Sequence, residues 1–230
     1  MKYLIAEIGN NHQGNMDEAK SMAKEALESG ANIVKFQAIK AETVKGSMNK
    51  SFYKKCELTI KQYKDLAEYC KDIGIIPMFS VFDSSLEELF FHGYKKIAAM
   101  QTDDLLLEPF FIKKNDKDHV FISFHGPLQF ELSQAKCMVA TIYCADDYNF
   151  DFYETLNSLK KNCNFYGISD HCLTINPLIR EIKANGINVV EKHFISKKLK
   201  NNIYYNGQKF RDSIHSATPC EFELIAKALL

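Results

Sequence analysis

The stretch NFYGISDHCLTINPLIREIKANGINVVEKHF, residues 164–194, contains one complete strand–helix–strand unit. Short apolar runs near its two ends predict buried strands over Asn164–Ile168 and Asn188–Phe194. Between them, the spacing of apolar residues predicts a helix over Pro177–Asn185, which ends before Gly186. Strands joined by a helical crossover run parallel, so this unit predicts a parallel sheet in an α/β fold.

The same alternation continues along the whole chain and predicts eight strands. They are Tyr3–Ile8, Ile33–Gln37, Ile75–Ser80, Lys95–Ala99, Val120–Ser123, Met138–Cys144, Asn164–Ile168 and Asn188–Phe194. Helices are predicted over Met16–Ser29, Thr59–Asp72, Ser84–Phe91, Leu105–Lys114, Phe150–Lys161, Pro177–Asn185 and Pro219–Leu230. The link Gly126–Lys136 has room for only a turn or two of helix.

Eight strands that alternate with helices favour a (β/α)8 TIM barrel, an α/β fold, as a single compact domain over residues 1–230. The main alternative is an open doubly wound sheet. That fold often carries Gly-x-Gly-x-x-Gly after its first strand, whereas residues 9–15 of this chain read GNNHQGN. The barrel is therefore the favoured interpretation.

Composition excludes several classes of function. Of the 230 residues 46% are apolar, and Lys plus Arg equal Asp plus Glu at 29 each, so neither nucleic acid nor an anionic membrane is an expected partner. The early apolar run is interrupted by Glu7 and is typical of a buried strand, not of an export signal. Seven scattered cysteines without a Cys-x-x-Cys pair indicate free thiols, and we expect a cytoplasmic location.

Polar residues follow or end every predicted strand, where the active sites of such barrels lie. Two lysines and two serines suit a phosphate group, because lysine supplies charge and serine supplies a hydrogen-bond donor. Two histidines on neighbouring strands suit a divalent metal such as Mn, Fe, Co or Zn. Together they indicate lyase or carbon–carbon bond chemistry on a phosphorylated small molecule.

Individual residues also have plainer interpretations. Lys35 could lie at a solvated strand edge, and either Lys95 or Lys96 could be solvated. His12 and His125 fit ordinary loop histidines. Glu7 is flanked by apolar residues, and a buried carboxylate needs a lysine, a metal or a substrate beside it.

The chain resembles the N-acetylneuraminate (sialic acid) synthase family, which includes the legionaminate and pseudaminate synthases. The resemblance is carried by the segments IAEIGNNHQGN, SGANIVKFQ, IGIIPMFSVFDSS, KKIAAMQTDDL, YGISDHC, NVVEKHF and RDSIHSATPCEFELIAKAL. It implies a transferase of carbohydrate biosynthesis that condenses phosphoenolpyruvate (PEP) with an N-acylated aminosugar aldehyde such as N-acetylmannosamine. The products are a nine-carbon α-keto acid and phosphate, and the implied cofactor is Mn²⁺ or Mg²⁺.

The resemblance also implies roles for individual residues. The implied metal ligands are His171 and His193. The implied catalytic residues are Glu7, Lys35, Lys96 and Ser169. To substrate binding we assign Ser80, Ser123, Tyr148, Gln37 and Asp146.

Departures from the family pattern leave alternatives open. Ala99 replaces a phosphate-contacting serine, Gln101 replaces an acidic residue, and Asp146 stands at an asparagine position. The family usually adds a C-terminal antifreeze-like domain whose arginine reaches into a partner's site, whereas this sequence ends at Leu230. We therefore expect a barrel alone, as a homodimer or with a separate capping chain. A non-catalytic or regulatory relative that binds metal or sugar, and a related barrel with other chemistry, are the alternatives.

Overall fold

The computed structural model describes residues 1–44, 47–97, 119–125, 138–163, 165–202, 204–205, 208–209 and 212–230. Eight parallel strands close into a barrel in sequence order, and the last strand pairs with the first. The strands are β1 (Tyr3–Gly9), β2 (Ile33–Ala38), β3 (Ile76–Val81), β4 (Tyr94–Ile97), β5 (His119–Phe124), β6 (Met138–Ala145), β7 (Phe165–Asp170) and β8 (Val189–His193). The predicted TIM barrel is confirmed, and each predicted strand overlaps an observed one.

Helices lie between the strands. They are α1 (Met16–Glu28), α2 (Ser47–Cys56), α3 (Ile60–Ile73), α4 (Phe150–Asn162), α5 (Asn176–Asn185), α6 (Lys197–Asn201) and α7 (Pro219–Leu229). The predicted stretch Ser84–Phe91 is a 3₁₀ helix, and a further 3₁₀ turn spans Ala41–Thr43. The predictions at Leu105–Lys114 and Gly126–Lys136 lie outside the described residues. The sequence did not predict α2, α6 or the hairpin of β9 (Tyr204–Tyr205) and β10 (Gln208–Lys209).

Local sequence signals set where several helices begin and end. Thr59 and Gln62 form a reciprocal capping box at the start of α3, which satisfies backbone donors that the helix cannot pair itself. Gly74 ends α3 with a φ of 89°, in the left-handed region that glycine adopts without steric cost. These signals fix α3 against the barrel and so position the strands on either side of it.

The barrel interior has an apolar half and a polar half. Near the amino ends of the strands, a cluster of buried apolar side chains fills the interior: Tyr3, Ile5, Ile33, Met78, Phe121, Ala140, Ile142 and Val189. Because side chains alternate along a strand, residues two or four positions later point to the same interior. On β1, β2, β3, β5 and β8 these later positions include a buried polar residue: Glu7, Lys35, Ser80, Ser123 and Glu191. They lie toward the carboxyl ends of the strands, which we call the mouth.

In the described part of the chain, no helix combines the length and apolar character that a membrane crossing requires. The six cysteines within the described ranges are all free thiols.

Candidate active site at the barrel mouth

Glu7 and Lys35 lie opposite each other on β1 and β2 and form a buried ion pair. They point into the barrel because Ile5 and Ile33, two residues earlier, belong to its apolar interior. The expectation that Glu7 meets a lysine is confirmed. Its second oxygen, Oε1, is buried and accepts no hydrogen bond from any described residue.

The pairing of β1 with β2 shifts register between Glu7 and Gly9. Gly9 has a φ of 55°, and a Cβ atom there would lie 3.0 Å from Oε1 of Glu7. Glycine therefore permits both the turn out of β1 and the position of the carboxylate.

Glu191 on β8 is the centre of the buried polar cluster. Its Oε1 lies 2.9 Å from Lys35 Nζ and accepts a 2.8 Å hydrogen bond from Ser169 Oγ. Its Oε2 lies 2.6 Å from Lys96 Nζ. One carboxylate thus joins three of the predicted catalytic residues, which come from β2, β4 and β7.

Glu191 was not among the predicted site residues. The signal was present, because the alternation in NVVEKHF places Glu191 on the same face of β8 as His193. A predicted inward histidine therefore implied an inward carboxylate two positions earlier.

Lys96 is the inward lysine of β4. Its ammonium also donates to Ser123 Oγ at 2.6 Å, and its side chain is almost completely buried. Lys95 points the other way, with its Nζ 5.8 Å from the centre of the Phe90 ring. Of the two lysines between which the sequence left the choice open, Lys96 is therefore the one that faces the barrel interior.

The two predicted substrate-binding residues on β2 and β3 lie beside this cluster. Ser80 is paired in register with Gln37 on one side and Lys96 on the other. The Ser80 hydroxyl is buried, and no described group hydrogen-bonds to it. Gln37 accepts a 2.9 Å hydrogen bond from the Asn10 side chain. A buried hydroxyl without a partner is costly, so Ser80 is a candidate contact for a ligand.

Burial and charge act in opposite directions on the central groups. Desolvation lowers the pKa of Lys35 to about 8, although the Glu191 carboxylate acts to raise it. Burial alone would raise the pKa of Glu191, but Lys35 and Lys96 hold that pKa well below its usual value. At neutral pH the cluster therefore contains an ionised Glu191 beside a protonated Lys35.

His171 and His193 stand side by side at the ends of β7 and β8. Their ring centroids are 5.3 Å apart, and their planes lie at 83°. Desolvation lowers the pKa of His171 to about 4 and that of His193 to about 3. Both imidazoles are therefore neutral near pH 7, which is the state that binds metal.

The histidine pair fits a divalent metal ion. Nδ1 of His193 is buried and has no hydrogen-bond partner in the described part of the chain, while Nε2 of His171 lies 3.4 Å from Ser169 Oγ. Two imidazoles leave coordination positions for oxygen ligands from a substrate or water. Within the described ranges no third His, Cys, Asp or Glu side chain joins them in a metal-binding group.

The remaining predicted residues lie around the pair. Tyr148 donates from its hydroxyl to Asp170, which is fully buried and also pairs with Lys192. Asp146 is exposed beyond β6, close enough to His171 for its charge to act on that imidazole. Ala99 and Gln101 lie outside the described residues. The substrate-binding roles of Tyr148 and Asp146 stay predictions.

The fold and this mouth define a (β/α)8-barrel protein with a buried cluster of lysine–glutamate ion pairs beside two neutral histidines. The sequence profile of the NeuB family matches residues 22–229, and the chain belongs to that family.

Two curated relatives and one solved structure illustrate the similarity. An N,N'-diacetyllegionaminic acid synthase from Campylobacter jejuni is 26% identical over 227 residues, covering 85% of this chain and 68% of the relative. An N-acetylneuraminate-9-phosphate synthase from Mus musculus is 37% identical over 105 residues, covering 39% of this chain and 29% of that protein. The crystal structure of a Leptospira borgpetersenii N-acetylneuraminic acid synthetase in complex with citrate superposes with a TM-score of 0.79. That match has 22% identity, covers 99% of this chain and 82% of the other, and supports the fold alone.

Proposed function

We propose that this chain condenses PEP with an N-acylated aminosugar aldehyde to give a nine-carbon α-keto acid and phosphate. One observation carries the proposal: two buried lysines converge on a single carboxylate, Glu191, beside two neutral histidines. Family membership supports the same reaction class, because one curated relative is an N,N'-diacetyllegionaminic acid synthase and another is an N-acetylneuraminate-9-phosphate synthase.

The phosphate end of the site would be formed by the lysine cluster. Lys35 and Lys96 supply positive charge, and the hydroxyls of Ser80 and Ser123 supply donors to phosphate oxygens. Ser80 supports this assignment best, since its hydroxyl is buried and no described group hydrogen-bonds to it. Gln37 lies at the edge of the same group, beside Ser80 in register.

The aldehyde end would be formed by the histidine pair. His171 and His193 would hold Mn²⁺ or Mg²⁺, which when bound polarises a carbonyl oxygen. Glu7 lies between this pair and the lysines, because it is in register with both Lys35 and His193. No described group hydrogen-bonds to its buried Oε1, which supports a role for this oxygen in accepting a proton or a hydrogen bond from the reacting groups.

The chemistry requires three bond changes. Carbon 3 of PEP attacks the aldehyde carbon, water adds to carbon 2, and the carbon–oxygen bond to phosphate breaks so that inorganic phosphate leaves. The water gives up both protons, one as it adds to carbon 2 and one as carbon 2 becomes the ketone. One of them ends on the former aldehyde oxygen and the other leaves with the phosphate. Glu7 would take the first, because no described group hydrogen-bonds to its buried Oε1. Lys35, Lys96 and Ser169 act by holding the enolpyruvyl group through charge and hydrogen bonds. Asp146 would face the sugar, whereas the Tyr148 hydroxyl donates to Asp170 behind the mouth and therefore lies away from the proposed sugar position.

The experiment is phosphate release with PEP, Mn²⁺ and a panel of N-acylated aminosugars. Lys96→Met should weaken PEP binding by about tenfold or more, because a charge-assisted contact is lost. Lys95→Met is the matched control on the same strand, and it should bind PEP like the wild type because Lys95 faces away from the mouth. Calorimetry with PEP and urea unfolding of each variant separate a binding defect from misfolding.

Two results would count against the proposal. No phosphate release with any sugar, together with no heat on mixing with PEP, would exclude the synthase. Mn²⁺ binding without PEP binding would favour a non-catalytic relative. Loss of catalysis through an ion pair between Asp146 and Lys96 is not supported, because Lys96 pairs with Glu191 and Asp146 is exposed.

A further inference from the structure

The backbone around His171 is held by side chains that lie behind the mouth. The His171 amide donates to the Ala145 carbonyl at 2.8 Å, which ties the end of β7 to the end of β6. Its own carbonyl is 2.6 Å from Nδ1 of His215, in the segment that precedes α7. The next carbonyl, that of Cys172, accepts a 2.6 Å hydrogen bond from Lys192. Both polar backbone groups of His171 are therefore fixed, and so is the carbonyl that follows.

Lys192 lies between two site residues on β8 but faces the other side of the strand. Glu191 and His193 point to the mouth, so alternation directs Lys192 outward, where it is almost completely buried. Its ammonium has three N–H donors and three acceptors: the Asp170 carboxylate, the Asp170 carbonyl at 3.4 Å and the Cys172 carbonyl at 2.6 Å. These acceptors flank His171 on both sides along the chain.

His215 reaches the same point from the C-terminal part of the chain. A carbonyl oxygen can only accept, so Nδ1 of His215 must carry the proton in its contact with the His171 carbonyl. The segment that holds His215 is itself attached to β8, because the Ala217 amide donates to the His193 carbonyl at 2.7 Å. The two histidines of the pair are therefore connected through a second path behind the mouth.

We propose that Lys192 and His215 are positioning residues that hold the backbone of residues 170–172 so that the His171 imidazole stays opposite His193. This proposal rests on the proposed function, in which that pair binds a divalent metal. Neither residue needs to touch metal or substrate: each acts through a backbone carbonyl at or beside His171. Outer groups that orient a metal ligand commonly change metal affinity by about 10- to 100-fold.

The test compares His215→Ala with His215→Asn in the full chain. The Asn side chain carries an N–H donor near the place of Nδ1, whereas Ala has none. We expect His215→Ala to weaken Mn²⁺ binding by about tenfold in calorimetry and His215→Asn to stay close to wild type. His92→Ala is the control, because His92 is also partly buried but follows the 3₁₀ helix at the opposite end of the barrel.

A metal-free measurement keeps this test separate from the proposed function. In protein labelled with ¹³C at the histidine ring, the His171 signal, identified by its loss in His171→Ala, should shift or broaden in His215→Ala and recover in His215→Asn. Lys192→Met should perturb the same signal. An unchanged His171 signal and unchanged Mn²⁺ affinity in His215→Ala would overturn the proposal, as would an Asn variant no better than Ala. Absence of phosphate release by the wild type would instead refute the proposed function and leave the ring-signal result standing.

Discussion

Replacing Glu191 with Gln should destabilise the fold strongly, because it removes the charge that two buried lysines share. The carboxylate lies 2.9 Å from Lys35 Nζ and 2.6 Å from Lys96 Nζ, and all three side chains are at most 5% exposed. Breaking a buried ion pair by removing one partner typically costs about 3–5 kcal/mol of the free energy of unfolding. This free-energy cost is limited, because a buried lysine that loses its counter-charge can release its proton and become neutral.

Because a lysine can release its proton, the stability of Glu191→Gln depends on pH in a direction that can be predicted. The pKa of Lys35 is already lowered from its usual 10.5 to about 8 in the folded wild type, and loss of Glu191 should lower it further. The unfolded chain then binds more protons than the folded variant at pH 7–8, so the stability of Glu191→Gln rises with pH. The wild type gains less over this window, because its Lys35, with a pKa of about 8, remains at least about half protonated up to pH 8. The destabilisation should therefore shrink by about 1 kcal/mol between pH 7 and pH 8.

Urea unfolding of Glu191→Gln at both pH values measures these two effects. Glu181→Gln is the matched control, because Glu181 is an equally buried carboxylate whose charged partner, Arg180, is largely exposed. Its other contacts are hydrogen bonds that it accepts from the neutral side chains of Tyr153 and Asn185. It should cost about 1–3 kcal/mol and show no such pH dependence. An equal cost for the two substitutions, with the same value at pH 7 and pH 8, would refute the charge-sharing role of Glu191.

Three further predictions concern the mouth. Mn²⁺ affinity should change less than about twofold between pH 7.5 and 5.5, because His171 and His193 stay neutral over this range. Two ligand histidines with ordinary pKa values would become protonated, and the affinity would fall about 100-fold. Calorimetry with Mn²⁺ at the two pH values distinguishes these outcomes. Ser80→Ala should leave the free energy of unfolding unchanged or higher, because no described group hydrogen-bonds to the buried hydroxyl, but it should weaken PEP binding about fivefold. A clear loss of stability in urea unfolding would show that the hydroxyl has a partner. Gly9→Ala should destabilise the fold by more than Gly74→Ala. Both glycines have a positive φ, so both substitutions introduce a strain of about 1–2 kcal/mol, but a Cβ at residue 9 also contacts Glu7 Oε1 whereas a Cβ at residue 74 meets nothing within 4 Å. Equal losses of stability in urea unfolding would contradict the contact at Gly9.

The strands and most helices could be predicted because their signals are local. The apolar runs of β1 and β8 and the periodic spacing in α3 reflect faces that each element buries. The helix α2 was missed because SMNKSFYKKC has few apolar residues to reveal a period. The stretch Ser84–Phe91 was placed at the right residues, but its 3₁₀ geometry is set by how tightly the connection between β3 and β4 must turn, which the sequence pattern does not encode.

The site was predictable in its residue types but not in its pairings. The sequence placed Lys35, Lys96 and Ser169 at strand ends, because polar residues in buried strands need a hydrogen-bond or charge partner. The carboxylate that joins them is 156 residues from Lys35 and 95 from Lys96 along the chain. Contacts over such separations depend on barrel closure and register, so no local pattern could identify Glu191 as the shared partner.

The charge balance of the mouth explains how a site for an anion can contain two carboxylates. Without a ligand, two buried ammonium groups need counter-charges, and Glu7 and Glu191 supply them. A phosphate group that takes a carboxylate's place beside Lys35 leaves that carboxylate buried without its counter-charge, which is costly unless the carboxylate takes up a proton. Binding is therefore favoured by donors that pair with the phosphate and that the carboxylates leave unused. The buried Ser80 hydroxyl is such a donor, and it makes the bound state better satisfied than the empty one.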